Sequence, residues 1–281
     1  EGEAGKLSTA KAAYHESLEL RRRLRAKLGD TPQALRDLSI SLEKLGDVER
    51  LAGHIPAATT AYRESMELSR QLQTTVGDTP QALRDLSICL EKLGNVEREA
   101  GRFPAATAAY RESLELRKQL RASLGDTPQV LRDLSISLDR LGDMELDTGS
   151  LAAATVAYRE SLELRKQLRA SLGDTPQTLR DLYISLNRLT DVEREAGHLN
   201  AAMEVSRESL ELCRRLRANF GDTPKALRDL SISLKKLGDL EAETGNLAAA
   251  EAARLESQEL LAQLERVSNE PPPSLDIGQS P

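Results

Sequence analysis

The chain has 281 residues, 30% of them charged and 2% aromatic, with no Trp and a formal net charge of −6. That acidic balance argues against a general nucleic-acid binder, which needs a basic field, and the lack of rings argues against stacking on single-stranded bases. Cys89 and Cys213 stand too far apart to suggest a disulfide or metal framework, and no apolar run is long enough to span a bilayer or resembles a leader, so a cytoplasmic protein without cofactor is the default expectation.

The tetrapeptide Gly-Asp-Thr-Pro begins at Gly29, Gly77, Gly125, Gly173 and Gly221, a step of 48 residues. Leu-Arg-Asp-Leu-x-Ile-x-Leu follows each copy, from Leu35, Leu83, Leu131, Leu179 and Leu227. A fixed period of this length is the signature of a stacked repeat array. In chain order, residues 1–28 match the second helix of a unit whose first helix is missing, because Ala10, Tyr14, Ser17 and Leu20 align with Ala58, Tyr62, Ser65 and Leu68. A larger parent protein is therefore expected. Full units follow at 29–76, 77–124, 125–172, 173–220 and 221–268.

Each unit reads as two helices. Thr31 caps the first, and Pro32 suits its opening turn. Leu35, Leu38, Leu42 and Leu45 then form one apolar stripe at helical spacing. Gly53 stands where a left-handed stop is wanted. A second helix opens near Pro56, carries Ala58, Tyr62, Ser65 and Leu68, and ends at Gly77. The fourth unit departs from its sisters: Thr190 replaces Gly, Ser206 replaces Tyr and Tyr183 replaces Ser. Bulk lost at 206 and regained at 190 and 183 would be a volume exchange; neutral drift is the alternative. In the last unit Arg254 and Gln258 take slots held by Tyr62 and Met66, as a capping helix requires. The stretch 269–281, with Pro271, Pro272 and Pro273, is expected to be a disordered tail.

The series Leu45-Gly46, Gly53, Ala58, Tyr62, Ser65 resembles the tetratricopeptide repeat (TPR) pattern, and it recurs at Leu93-Gly94, Gly101, Ala106, Tyr110, Ser113 and at Leu141-Gly142, Gly149, Ala154, Tyr158, Ser161. The period of 48 departs from the standard 34 and is similar to long-repeat bacterial arrays and kinesin light chains. The resemblance implies an all-α, right-handed superhelical solenoid of antiparallel hairpins, with no enzymatic activity of its own and a concave groove, lined by first helices, that binds a peptide or partner protein.

Rotation at about 100° per residue puts a second set of positions opposite the leucine stripe. These candidate groove residues are Arg36, Ile40, Lys44 and Asp47; Arg84, Ile88, Lys92 and Asn95; Arg132, Ile136, Arg140 and Asp143; Arg180, Ile184, Arg188 and Asp191; and, in the last unit, Arg228, Ile232, Lys236 and Asp239. Apolar spots between charges suit an extended or helical peptide. The same residues also suit packing of isoleucines between repeats and pairing of charges across them. A neighbouring position runs Glu43, Glu91, Asp139, Asn187, Lys235, an acidic-to-basic gradient that would orient a ligand. A basic row on the second helices includes Arg21, Arg25, Arg117, Arg121, Arg165 and Arg217, and reads either as a surface for phosphates and acidic partners or as cations at helix C-termini. No nucleotide-binding, zincin or nucleophile-elbow motif is present. The other expectation is a sensor or regulatory segment of a larger effector enzyme, a protease or nucleotide-dependent switch; self-association, with Ala10, Ala13, Ser17 and Leu20 exposed, is a third.

Overall fold

A computed structural model describes the backbone of residues 2–269 and the side chains of residues 9–266. Among the described residues there are eleven helices and no strand. They are α1 (Gly2–Leu28), α2 (Pro32–Leu51), α3 (Ile55–Val76), α4 (Pro80–Glu99), α5 (Phe103–Leu124), α6 (Pro128–Asp147), α7 (Leu151–Leu172), α8 (Pro176–Glu195), α9 (Leu199–Phe220), α10 (Pro224–Glu243) and α11 (Leu247–Asn269). Of the stretch expected as a disordered tail, Asn269 closes α11 and the rest lies outside the described residues.

The chain divides into two compact units, one ending at Leu168 and one starting at Arg169. In the first, α2 packs on α3 and α4 on α5, while α1, α3 and α5 also pack on the next helices α2, α4 and α6. In the second, α8 packs on α9, α9 on α10 and α10 on α11.

Local chemistry sets the helix ends. Thr31 Oγ1 accepts the Ala34 N–H at 3.2 Å, satisfying a donor the first turn would otherwise orphan, and Pro32 contributes no N–H there. Thr79, Thr127, Thr175 and Thr223 repeat the arrangement. At the other end Gly53 adopts φ +76°, where a side chain would be strained. That turn lets the His54 N–H reach Glu49 O at 2.8 Å and closes α2 in a Schellman-type stop.

The core follows the leucine stripe. Leu35, Leu38, Leu42 and Leu45 of α2 are buried against Leu68 and Leu72 of α3. The tightest approach is at Gly46: a Cβ there would stand 2.6 Å from Tyr62 Cε1, and the same distance recurs for Gly94 under Tyr110 and Gly142 under Tyr158. Carbon atoms rest about 3.5–4.0 Å apart, so only glycine lets the ring lie flat on the first helix. Each of these tyrosines is fully buried, and its hydroxyl donates to the first helix: Tyr62 to Asp47 at 2.8 Å, Tyr110 to Asn95 at 2.7 Å and Tyr158 to Asp143 at 2.7 Å. In the fourth hairpin Thr190 and Ser206 are both buried, so added volume on α8 coincides with lost volume on α9. Tyr183 has a different setting. It packs by Cys213 and Asp229 and its hydroxyl donates to Asp229 O at 3.3 Å, so it stands at the junction with α10.

Candidate functional site

In each compact unit the first helices carry half-exposed isoleucines set among charges. Ile40, Ile88, Ile184 and Ile232 are 41%, 37%, 36% and 40% exposed, and Ile136 is half-buried. They lie on the side of the first helix away from the buried leucine stripe, where the 100° rotation puts them.

The charged candidates mostly pair with each other. Arg36 meets Asp85 of the next first helix at 2.7 Å. Lys92 meets Asp47 at 2.7 Å and Glu43 at 3.4 Å, and stands 6.0 Å from the Tyr62 ring centroid. Arg140 lies 3.8 Å from Glu91 and 4.0 Å from Asp143. In the second unit Lys236 meets Asp191 at 2.5 Å, Arg180 lies 3.8 Å from Asp229, and Asp239 lies 3.9 Å from Arg254. Lys44 and Arg228 are exposed, while Arg84, Arg132 and Arg188 are half-buried. The Nε atoms of Arg84 and Arg140 are buried with no hydrogen-bond partner among the described residues. Asp47, Asn95 and Asp143 also serve the fold, by accepting the tyrosine hydroxyls.

The acidic-to-basic series has a structural cause. Glu91 accepts from the buried Arg117 at 2.5 Å, and Asp139 accepts from the buried Arg165 at 2.6 Å. Removing a carboxylate would strand a buried cation. Where the arginine is replaced by Cys213 or Leu261, the acid is replaced by Asn187 or Lys235. In the first hairpin the arginine slot holds Ser69, and Glu43 instead accepts the Cys89 thiol at 3.0 Å. Cys89 closes a buried polar node with Ser39, Ser65 and Ser69, and burial, aided by the Glu43 charge, pushes its thiol pKa up to about 12.

Nor is the basic row a single surface. Arg117 and Arg165 are buried, and Arg21 donates to Asp37 O and Ser41 Oγ. Arg25, Arg121, Arg169 and Arg217 each clamp the aspartate five residues ahead, at 2.6 Å, across the helix-ending glycine. Those clamps hold Asp30, Asp126, Asp174 and Asp222 below the usual carboxylate range.

Sequence reasoning missed a buried carboxylate near the end of four of the first helices, Glu49, Glu97, Glu193 and Glu241, with the half-buried Glu145 in the fifth. Glu97 takes Arg63 at 2.5 Å and also Arg102; Glu241 takes Arg207 at 2.9 Å; Glu49 takes Lys11 at 2.8 Å and His54 at 2.8 Å. Burial pushes Glu49 up, but the Lys11 and His54 bonds outweigh it and hold its pKa below the ordinary value. Its signal was present in the fixed Glu-to-second-helix Arg spacing of 34 residues at 63/97, 111/145 and 207/241.

A cleft of about 750 Å³ opens beside α5, α6 and residues 159–167 of α7, floored by Leu134, Leu138 and Leu164 and rimmed by Lys118, Arg121, Asp126 and Glu160. At this position in three other repeats an arginine bridges neighbouring second helices, Arg22 to Glu64 at 2.9 Å, Arg70 to Glu112 at 2.8 Å and Arg214 to Glu256 at 3.2 Å, while the remaining one holds Lys166, which pairs with Glu163 of its own helix at 3.7 Å. Here the residue is Lys118, which turns to Glu115 of its own helix at 2.9 Å and leaves the gap unbridged. No group of three or more metal-ligating side chains occurs among the described residues, and no described helix is long and apolar enough to cross a membrane.

Comparison with known proteins agrees with this geometry. A family model described as SHNi-TPR matches residues 87–123, which hold Ser87 through Ser123 of the α4–α5 hairpin. No curated protein sequence matches the chain. Among solved structures, BtubC (BKLC) from P. vanneervenii is 20% identical, with a TM-score of 0.71 over 98% of this chain and 99% of that one. A Podosopora anserina protein described by its nearly identical TPR-like, kinesin-light-chain repeats is 16% identical, with a TM-score of 0.55 over 85% of this chain and 96% of that one. At these identities the likeness speaks for the fold, which is typical of protein-interaction scaffolds and typically non-catalytic. With its helix hairpins repeating every 48 residues, the chain has a TPR-like repeat fold.

Proposed function

We propose that the chain is a protein-interaction scaffold that holds a peptide or partner protein along its first-helix face, the face that lines the concave groove in TPR proteins. Each 48-residue unit contributes one rung. The observation that carries the reading is the repeated isoleucine: Ile40 and Ile88 in the first compact unit, and Ile184 and Ile232 in the second, remain more than one-third exposed while the leucines Leu35, Leu38, Leu42, Leu83, Leu86, Leu90, Leu179, Leu182, Leu186, Leu227, Leu230 and Leu234 of the same helices are buried. A repeated exposed apolar position rimmed by charge is the ordinary mark of a recognition surface. Because Arg36, Lys92 and Arg140 already face carboxylates of the chain, the apolar row supplies affinity and the charges supply register.

The test is capture from native lysate by the intact chain and by a variant carrying Ile40→Asp, Ile88→Asp and Ile136→Asp, with helicity checked by circular dichroism. A partner held by the native chain and lost by the folded variant is the expected result. Equal capture by both would move the site off this face. Reversing Lys92 or Arg140 is a poorer probe, since it also breaks internal ion pairs.

A further inference from the structure

The cleft beside α5, α6 and α7 lies where sister gaps are closed by side chains. Between α1 and α3, Arg22 meets Glu64 at 2.9 Å, Gln71 donates to Asp30 at 2.6 Å and Arg25 donates to Gln71 at 3.3 Å. Between α9 and α11 the same positions repeat the closure: Arg214 meets Glu256 at 3.2 Å, Gln263 donates to Asp222 at 2.6 Å and Arg217 donates to Gln263 at 3.4 Å. The space beside α1 and α3 is about 460 Å³, and no residue of α2 lines it. The cleft beside α5 and α7 is about 750 Å³ and reaches down to Leu134 and Leu138 of α6.

The difference begins at one residue. Lys118 stands where Arg22, Arg70 and Arg214 make their bridges. An ammonium lacks the reach and the planar fork of a guanidinium, and Lys118 is met instead by Glu115 of its own helix at 2.9 Å. Glu160, the carboxylate an arginine at 118 would meet, is left exposed, whereas Glu64, Glu112 and Glu256 are half-buried beneath their arginines. Glu160 and Gln167 make no hydrogen bond or ion pair among the described residues. Other charges at the rim are met within the chain: Arg121 by Asp126 at 2.6 Å, and Glu163 by Lys166 at 3.7 Å. The cleft therefore offers an apolar floor and one unmatched carboxylate at its mouth.

We propose that this cleft is a binding site for an arginine side chain of a partner polypeptide, with an apolar residue beside it. The guanidinium takes the place of the missing sister arginine and meets Glu160 through two parallel hydrogen bonds. The arginine's carbon stem and the neighbouring apolar side chain cover Leu134, Leu138 and Leu164, and Gln167 meets the segment's backbone. The cleft opens to solvent, so side chains can enter it from a partner's surface while the rest of that partner stays outside. Its volume suits a segment of a few residues. None of its lining residues belongs to the isoleucine row, so either reading can fail without the other.

The probe is the fluorescein-labelled peptide Gly-Leu-Arg-Leu-Gly, read by fluorescence anisotropy. Saturable binding to the intact chain is expected. Citrulline in place of the arginine keeps the shape and removes the charge; it is expected to weaken binding roughly tenfold, as is Glu160→Gln in the chain. Lys118→Arg rebuilds the sister bridge, fills the mouth with the chain's own guanidinium and is expected to abolish binding. Lys118 and Glu160 are both exposed, so the variants keep their fold, which circular dichroism checks. No saturable binding by the native chain, or equal binding by the Lys118→Arg chain, overturns the proposal. It is also overturned, in favour of a small guanidino compound as occupant, if octylguanidinium displaces the labelled peptide as effectively as unlabelled peptide does.

Discussion

Replacing Ser206 with Tyr restores the residue found at 62, 110 and 158, and it is expected to destabilise the protein. In the sister hairpins even a Cβ on the facing glycine would lie 2.6 Å from the ring, about 1 Å inside carbon contact. Thr190 carries a Cβ and two further heavy atoms at that position, is buried, and donates its hydroxyl to Leu186 O at 2.9 Å. A tyrosine at 206 would be forced out of its sisters' rotamer, at a cost of ~1–3 kcal/mol. Thr190→Gly alone opens a void and weakens the helix by under ~1 kcal/mol. The double variant rebuilds the sister geometry, with Asp191 at the spacing that accepts the tyrosine hydroxyl elsewhere. The two changes are therefore expected to couple favourably by ~1 kcal/mol or more. Urea unfolding of the four proteins of the cycle, followed by circular dichroism, measures this, and amide exchange in α8 and α9 localises it, because repeat arrays open piecewise. A stability gain from Ser206→Tyr alone, or additivity within about 0.5 kcal/mol, would refute the packing argument.

Glu91→Ala leaves Arg117 buried without its carboxylate and is expected to cost about 3 kcal/mol in the same assay, while Glu43→Ala, in the repeat where Ser69 takes the arginine slot and Glu43 meets the Cys89 thiol and Lys92 instead, costs markedly less. Cys89 and Cys213, both buried with thiol pKa values pushed up to about 12 by burial, are expected to resist iodoacetamide at pH 8 until urea unfolds the chain; rapid native-state labelling would contradict their placement. Asp30, Asp126, Asp174, Asp222 and Glu49 have folded pKa values below their ordinary ones. Their stabilisation is complete above the unfolded carboxylate range and is lost as pH falls through the folded values, so stability measured by urea midpoint is expected to decline below about pH 4. A midpoint that holds down to pH 2 would show these pairs contribute nothing.

The hairpins were legible because their determinants are local and repeated. The Thr-Pro opening, the leucine stripe and the φ-positive glycines each act within a few residues of sequence, and five copies make the register plain. The isoleucine row followed from the same helical rotation. The charges were harder, because their partners lie in other helices. Glu91 looks like one step in a gradient until Arg117, 26 residues later and buried beside it, explains it. The variation between copies held that information: acid and arginine disappear together at Asn187/Cys213 and Lys235/Leu261. Asp47, read as a groove residue, likewise shares its carboxylate with Tyr62, a link visible only as a spacing of 15 residues that persists wherever the tyrosine does. The cleft beside α5 was not foreseeable, since it depends on which way Lys118 turns.

Hydroxyl-radical footprinting of the chain, alone and bound to a captured partner, bears most directly on the first-helix face as the binding surface. It reports side-chain exposure residue by residue. The account predicts that Ile40, Ile88 and Ile136 lose reactivity in the complex while Leu124 and Phe103, exposed on second helices, keep theirs. Protection confined to the second helices, with the isoleucines as reactive as in the free chain, would contradict it.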